Sequence, residues 1–414
     1  MNSSPVLGKD RIVTIDIIRG FALFGIFLVN MPAFHSADFL RSINAVEAEF
    51  SGVDYWIDMF FALFIDMKFF TIFSFLFGLG FYIFMSRAEQ KGLKVTPLYL
   101  RRILGLFLYG AAHLIFLWFG DILHTYALTG LLLLAFYKRK IKTMIIWAFS
   151  LLLVINVLYS LTLLLPSGLL EEFQEMNISA YDDQYDGYVD AYTTASYGEL
   201  ISYRLGAELV PLIFNAIPAM IPVLAMFLFG LAAGKAGIFK PDTPHLGLIR
   251  KIRNITFLIS IPLVTLLALY KLEILGEGVK NFTYVQLFTS LSGVTLCFFY
   301  ISALALLLRK DQWQKRLRPL GFAGQMALTN YLSQSIICVL IFVGFDLYEE
   351  VSLWAGTLIA LAIFAAQIIF SFFWLKKFQF GPLEWLWRSF TYGKFQSMKK
   401  KDPSPEAVDT RGIL

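Results

Sequence analysis

The chain has 414 residues, of which 58% are hydrophobic, 17% aromatic and only 16% charged, with a formal net charge of +5 and a mean hydropathy of +0.67. Soluble domains carry roughly a quarter charged residues and lack repeated apolar runs of about 20 residues, the length that crosses a hydrocarbon core of about 30 Å. A soluble enzyme is thereby excluded, no nucleic-acid partner is expected, and the fold class implied is all-α, a polytopic transmembrane helix bundle.

Ten candidate spans follow in order: 12–34, 53–86, 97–119, 121–137, 142–165, 207–236, 254–271, 283–308, 321–345 and 351–375. The first has no small-residue cleavage site after Arg11 and reads as an uncleaved signal anchor. Basic residues gather in alternate gaps, at Arg87 to Arg102, Lys138 to Lys142, Lys235 to Arg253, Arg309 to Arg318 and from Lys376 onward, whereas the other gaps are short or acidic. The positive-inside bias therefore predicts a bacterial inner-membrane protein with both termini in the cytoplasm. As one helix, 53–86 would rise about 51 Å, too long for one upright crossing. Two crossings there would move the next basic gap outside. One crossing plus a re-entrant or interfacial segment near 53–66, broken at Asp66-Met67-Lys68, is expected. The stretch 167–205, with Glu171, Glu172, Glu175, Asp182, Asp183, Asp186, Asp190 and six tyrosines from Tyr181 to Tyr203, reads as an outer acidic loop that binds something or caps the bundle. Near 380–396, Trp385 and Trp387 mark an interfacial helix on the cytoplasmic face. Residues 1–396 thus form one transmembrane domain, and 397–414 a polar cytoplasmic tail.

An ionisable group inside a span is costly unless paired or wetted, so each is a functional candidate and, equally, a candidate for gluing helices together. In the first span Asp16 and Arg19 lie one turn apart, placed to form an ion pair, and Asn30 returns to within about 60° of both. In the third, Arg102, Tyr109 and His113 share a face to within about 20–40°, and His113 lies about 11 Å below the outer turn at Gly120-Asp121. A lone buried histidine is commonly a core residue; one sharing a stripe with an arginine and a tyrosine is a candidate for catalysis or relay. Asp121, His124 and Tyr126 open the fourth span, Asp66 and Lys68 are placed to neutralise one another, and Asn330 and Gln334 lie one turn apart in the ninth, lining a cavity or bonding neighbouring helices. Pro211, Pro218 and Pro222, then Gly230, Gly234 and Gly237, mark the sixth span as kinked and closely packed. Helices one and three are expected to turn their polar sides toward each other around a narrow conduit.

No paired Cys/His metal spacing, Walker loop, dinucleotide fingerprint or Gly-x-Ser-x-Gly elbow is present. Cys297 and Cys338 read as small buried hydrophobes, and Gly78-Leu79-Gly80 as a helix-packing surface. Five blocks resemble the YeiB family of bacterial membrane proteins: Ile15-Asp16-Ile17-Ile18-Arg19-Gly20 through Val29-Asn30; Lys68-Phe69-Phe70-Thr71-Ile72-Phe73-Ser74-Phe75-Leu76-Phe77-Gly78; His113 through Gly120-Asp121-Ile122-Leu123 and Tyr126; Ala327-Leu328-Thr329-Asn330-Tyr331-Leu332-Ser333-Gln334-Ser335; and Gly381-Pro382-Leu383-Glu384-Trp385-Leu386-Trp387-Arg388. The first block is also similar to the Asp-x-x-Arg-Gly signature of two wider groups. One contains heparan-α-glucosaminide N-acetyltransferase and its bacterial relatives, the other the membrane acyltransferases that decorate surface polysaccharides.

That resemblance implies an enzyme, a transmembrane acyltransferase. It would take an acyl group from cytoplasmic acyl-CoA, acetyl-CoA foremost, as a co-substrate with no permanently bound cofactor. Delivery would be to a small-molecule or glycan acceptor at the outer face, by a homodimer set among membrane lipids. Arg19, Arg101 and Arg102 would then hold the CoA phosphates. His113 would be general base or transient acyl carrier, with Asp121, Tyr126 and Asn30 orienting it or binding acceptor. Asp16, Lys68, Asn330 and Gln334 complete the substrate path. In the lysosomal relative a histidine after the first span is taken as catalytic; His35 falls in the comparable region but in different surroundings, and His113 is preferred. The alternatives are a transporter or flippase using the same stripe, with Asp16/Arg19 and Lys68/Asp66 as gates, and a structural or sensory subunit whose acidic loop binds a partner. An inverted repeat would favour transport; none is visible.

Overall fold

The computed structural model describes residues 12–276 and 278–400. Most of the expected polar tail, the start of the chain through Arg11, and Glu277 lie outside the described residues. In chain order the helices are α1 (Val13–Asn30), α2 (Pro32–His35), α3 (Asp38–Ile43), α4 (Gly52–Phe64), α5 (Lys68–Gln90), α6 (Val95–Phe116), α7 (Leu123–Phe136), α8 (Ile141–Thr162) and α9 (Ser167–Thr193). They continue as α10 (Tyr197–Tyr203), α11 (Leu209–Ala236), α12 (Leu246–Lys271), α13 (Val279–Leu307), α14 (Asp311–Arg316), α15 (Arg318–Gln325), α16 (Ala327–Phe342), α17 (Leu353–Lys377) and α18 (Pro382–Tyr392). Among the described residues there is no β-sheet, as expected of a membrane bundle whose backbone must pair within each element.

Among the described residues eight helical runs are long and apolar enough to cross a membrane. A ninth crossing is made if α15 and α16 act together, although the pair is bent by 81° at Met326. At 14 residues, α7 rises only about 21 Å, short of a hydrocarbon core. The ten expected crossings thus become eight long helices, one bent pair and one short helix. The break in the second falls at Ile65-Asp66-Met67, where Met67 takes a left-handed φ of +62°. Lys68 spans this break by donating from Nζ to the Ala62 carbonyl at 2.6 Å, rather than engaging Asp66 in a close ion pair. Asp58 of α4 instead pairs with Lys271 at the end of α12, at 2.9 Å.

The stretch expected as an outer acidic loop is helical: α9 and α10 fill most of it. Tyr181, Tyr185, Tyr188 and Tyr192 recur at spacings of four, three and four, a helical face. Tyr188 and Tyr192 are buried, and Tyr192 stacks on Tyr348 with ring centroids 4.9 Å apart. A capping box of Ser196 and Glu199 starts α10, and a π-helical turn over Arg204–Glu208 joins it to α11. That wider turn directs Arg204 and Glu208 both inward, where Tyr192 donates to Glu208 and Arg204 to the Leu117 carbonyl. The acidic side chains remain outside. The segment therefore caps one end of the bundle, here called the acidic end; the opposite, basic end carries the clustered lysines and arginines.

Two crossings are set by glycine. A Cβ on Gly78 of α5 would strike the Phe227 carbonyl of α11, and one on Gly230 of α11 would strike the Phe75 carbonyl. Likewise Gly20 of α1 lies against the Leu320 carbonyl and Gly324 against the Asp16 carbonyl, which fixes α1 on α15. We expect Gly78→Leu to lower unfolding free energy by about 3 kcal/mol in detergent, because two backbones must part. Gly80→Ala, with open space at its Cβ, should melt with the parent chain; equal melting of the two variants would contradict this account of the crossing.

Candidate functional site

The polar ends of α1, α5, α6, α16 and α18 surround a cavity of about 370 Å³. Around its mouth, at the basic end, stand Arg19 of α1, Arg87, Lys91 just after α5, Arg102 of α6 and Arg388 of α18, against the carboxylates of Asp16 and Glu384. Asp16 and Arg19 form the ion pair expected from their spacing, at 3.4 Å. The Arg102 guanidinium lies 3.7 Å from the Trp387 ring centroid and 4.9 Å from that of Phe84. Trp387 Nε1 in turn donates to the Arg102 carbonyl at 2.7 Å, so the indole that holds the guanidinium is itself anchored to α6. Guanidinium prefers such ring faces because it is weakly hydrated and planar. Further in, Leu23, Ile26, Phe73 and Phe77 make the wall apolar. The cavity ends at Ile122, Leu123, Tyr126 and Tyr331.

One layer beyond that end lies a chain of hydrogen bonds. His113 Nδ1 is 2.9 Å from Asp121 Oδ1, and His113 Nε2 is 2.7 Å from the Ser335 hydroxyl. Asp121 Oδ2 accepts the His124 backbone N–H and lies 2.8 Å from His124 Nδ1. All three members of the Ser335–His113–Asp121 set are buried. The Gly120-Asp121 turn produces this arrangement by reversing the chain so that the carboxylate points back at the last turn of α6. The Tyr331 ring packs against the His113 imidazole with centroids 5.2 Å apart, and its hydroxyl donates to the Gly120 carbonyl. On the far side, Trp118 stacks on Phe34 at 4.1 Å and Phe119 meets Phe39 at 4.0 Å. The expected conduit is therefore a cavity that ends at this layer, with α1 and α6 facing one another across it.

Of the residues singled out from sequence, Asp16, Arg19, Arg102 and Tyr126 line the cavity, and His113 and Asp121 sit just beyond it. Tyr126 hydrogen-bonds Ser74 at 2.7 Å. The others lie elsewhere. Arg101 points outward, exposed, and Asn30 ends α1 half-buried, far along the helix from the cavity mouth. Lys68 belongs to the α4–α5 break. Asn330 donates to the Ala323 carbonyl and Ser371, and Gln334 donates to Gln367, so this pair binds α16 to α15 and α17. Tyr109 donates to the Leu383 carbonyl at the start of α18. His35 is buried against Phe342, and neither ring nitrogen has a hydrogen-bond partner among the described residues. Sequence reasoning missed Ser335, Tyr331, Arg87, Lys91, Glu384 and Arg388 as site residues, although all but Arg87 and Lys91 fall in the blocks that carried the family resemblance.

A family model described as "Protein of unknown function (DUF418)" matches residues 233–394. The uncharacterized protein YxaH of Bacillus subtilis is 36% identical over 96% of this chain and 98% of its own length. An uncharacterized protein from the amylase 3′ region of Bacillus acidopullulyticus is 31% identical over 96% of this chain and 99% of its own. The uncharacterized protein YeiB of Escherichia coli is 27% identical, covering 92% and 96%. The chain belongs to the YeiB family. No solved structure matches it. The matched stretch of this YeiB-family chain takes in Ser335, Glu384 and Arg388 but not His113 or Asp121, so the site joins the two halves of the sequence.

Proposed function

We propose that this membrane protein is an acyl-CoA-dependent acyltransferase that moves an acyl group across the bacterial inner membrane to an acceptor, a small molecule or glycan, at the outer face. The observation that carries this reading is the cavity's gradient: five cationic side chains at the mouth, an apolar throat, and a buried histidine–carboxylate pair beyond the end. The positive-inside bias puts the basic end, and with it the cavity mouth, in the cytoplasm with both termini. Acyl-CoA is polyanionic at its phosphates and thin and nearly neutral along its pantetheine arm. At about 370 Å³ the cavity takes the arm and acyl group and leaves the nucleotide at the cationic rim. From Arg102 to His113 the helical rise is about 16 Å, on the scale of an extended pantetheine arm. The aromatic layer at the acidic end argues against an open permeation path for a solute.

Titration of the detergent-purified full chain with acetyl-CoA tests this. Binding is expected, weakening as salt rises because phosphate–cation attraction is screened. Arg102→Ala should cost roughly tenfold or more in affinity, the worth of one charge-assisted contact of about 1.5–3 kcal/mol. Absence of binding, or solute flux in proteoliposomes lacking acyl-CoA, would overturn the proposal.

A further inference from the structure

We propose that the acyl group halts on Ser335, as a serine ester, between its donor and its acceptor; this rests on the acyl-CoA reading above. Four observations carry it. Ser335, His113 and Asp121 are linked in the order nucleophile, base and orienting carboxylate, at 2.7 and 2.9 Å, the arrangement that activates a hydroxyl. Asp121 can only accept, so the imidazole proton is held at Nδ1 and the Nε2 lone pair faces the Ser335 hydroxyl. Helical serines ordinarily spend their hydroxyl on a carbonyl one turn back, as Ser74 does on Phe70 and Ser302 on Phe298. Among the described residues Ser335 instead bonds only His113. Finally, Ala327, Leu328 and Tyr331 of α16 line the cavity, and Ser335 follows Tyr331 by four residues on the same face, about 6 Å deeper. Tyr331 lines the cavity and packs on His113, so in this scheme its ring must move aside for the thioester to reach the serine.

The chemistry balances without an outside reagent. Ser335 Oγ attacks the thioester carbonyl carbon while its proton passes to His113 Nε2. The carbon–sulfur bond breaks, and the sulfur leaves with that proton as free CoA thiol. An acceptor hydroxyl or amine then attacks the ester carbonyl, giving its proton to His113, which returns it to Ser335 Oγ as the ester bond breaks.

Full-length protein in detergent, incubated with acetyl-CoA and no acceptor, then digested and read by mass spectrometry, decides the matter. We expect an acetyl group on Ser335 approaching one per chain, with release of an equal amount of CoA. Ser335→Ala should abolish both at unchanged acetyl-CoA affinity, with the chain still folded. Ser335→Cys should restore a transferable acetyl as a thioester, and His113→Gln should slow acetylation by at least about 100-fold. Wild-type protein that binds acetyl-CoA yet carries no acetyl on Ser335, or a Ser335→Ala chain that releases CoA at the parent rate, overturns the ester and leaves the acyltransferase reading standing. Failure to bind acetyl-CoA at all removes both.

Discussion

Replacing Asp121 by asparagine slows single-turnover CoA release from acetyl-CoA by about 10³–10⁴-fold, with acetyl-CoA affinity nearly unchanged. The reason is tautomeric. Asp121 Oδ2 serves two groups of His124, the backbone N–H and ring Nδ1, and Oδ1 serves His113. Asparagine has one accepting oxygen. Kept on the His124 backbone N–H, which opens α7, it presents its NH2 to His113. Nδ1 must then accept, the ring proton moves to Nε2, and the Ser335 hydroxyl loses its base. Asp121 touches no substrate in this scheme; it is a positioning residue acting through His113. A merely structural role predicts something different: a lowered melting temperature and proportionate loss of acetyl-CoA binding. Single-turnover CoA release, acetyl-CoA titration and a melting curve on the same preparation separate the two. An asparagine variant that keeps half the parent rate of CoA release would remove His113 from the role of base.

The sequence made the membrane class legible because apolar length is a local property: eight runs pass on length and hydropathy alone. It also showed Asp16 with Arg19, a helical turn apart, but it set His113 about 11 Å below the Gly120-Asp121 turn, whereas the helix stops at Phe116 and the turn folds back to bring Asp121 to 2.9 Å from His113. What it hid was rotation. Asn330 and Gln334 form one face of α16 and Tyr331 and Ser335 the next, about 100° round. Both faces have the right period, and only the positions of α15, α17 and α6 decide which one meets the cavity. The polar pair turned to its helical neighbours, and the pair one residue on turned to His113. Arg388 and Glu384 were hidden for the same reason, because nothing local places α18 across the mouth of a cavity built by α1 and α6. In α9, the tyrosine spacing was a readable helical signal, masked by the acidic residues between.

Glu384→Gln should separate stability from pH in a way that Glu384→Ala cannot. Glu384 Oε1 accepts the backbone N–H groups of Leu328 and Thr329 at 2.7 and 3.1 Å, and Oε2 accepts the Thr329 hydroxyl at 2.5 Å. A side chain from α18 thereby caps the first turn of α16, where unpaired N–H groups and the helix dipole favour a negative charge. Alanine leaves those donors with nothing, and we expect a loss of about 2–4 kcal/mol in detergent unfolding. Glutamine keeps an oxygen on the two N–H groups and turns its NH2 to the Thr329 oxygen, so the cap survives. Burial pushes the Glu384 carboxyl above its ordinary value of 4.5, against the hydrogen bonds from Thr329 and Leu328 that pull it down. The folded chain therefore holds this proton at pH values where the unfolded chain has released it. Its contribution to stability is complete below 4.5 and is lost as pH rises through the folded-state value. Glutamine carries no such charge to bury, so its melting temperature relative to the parent should climb as pH rises from 4.5 through the folded-state value and then level. It also removes one of two carboxylates that line the cavity, and should tighten acetyl-CoA binding at pH values above the folded-state value, where the parent carboxyl is charged. A melting difference that stays flat or falls over that range would mean that the carboxylate is fully stabilised by the α16 terminus, and that the cap, not burial, governs the charge at the cavity mouth.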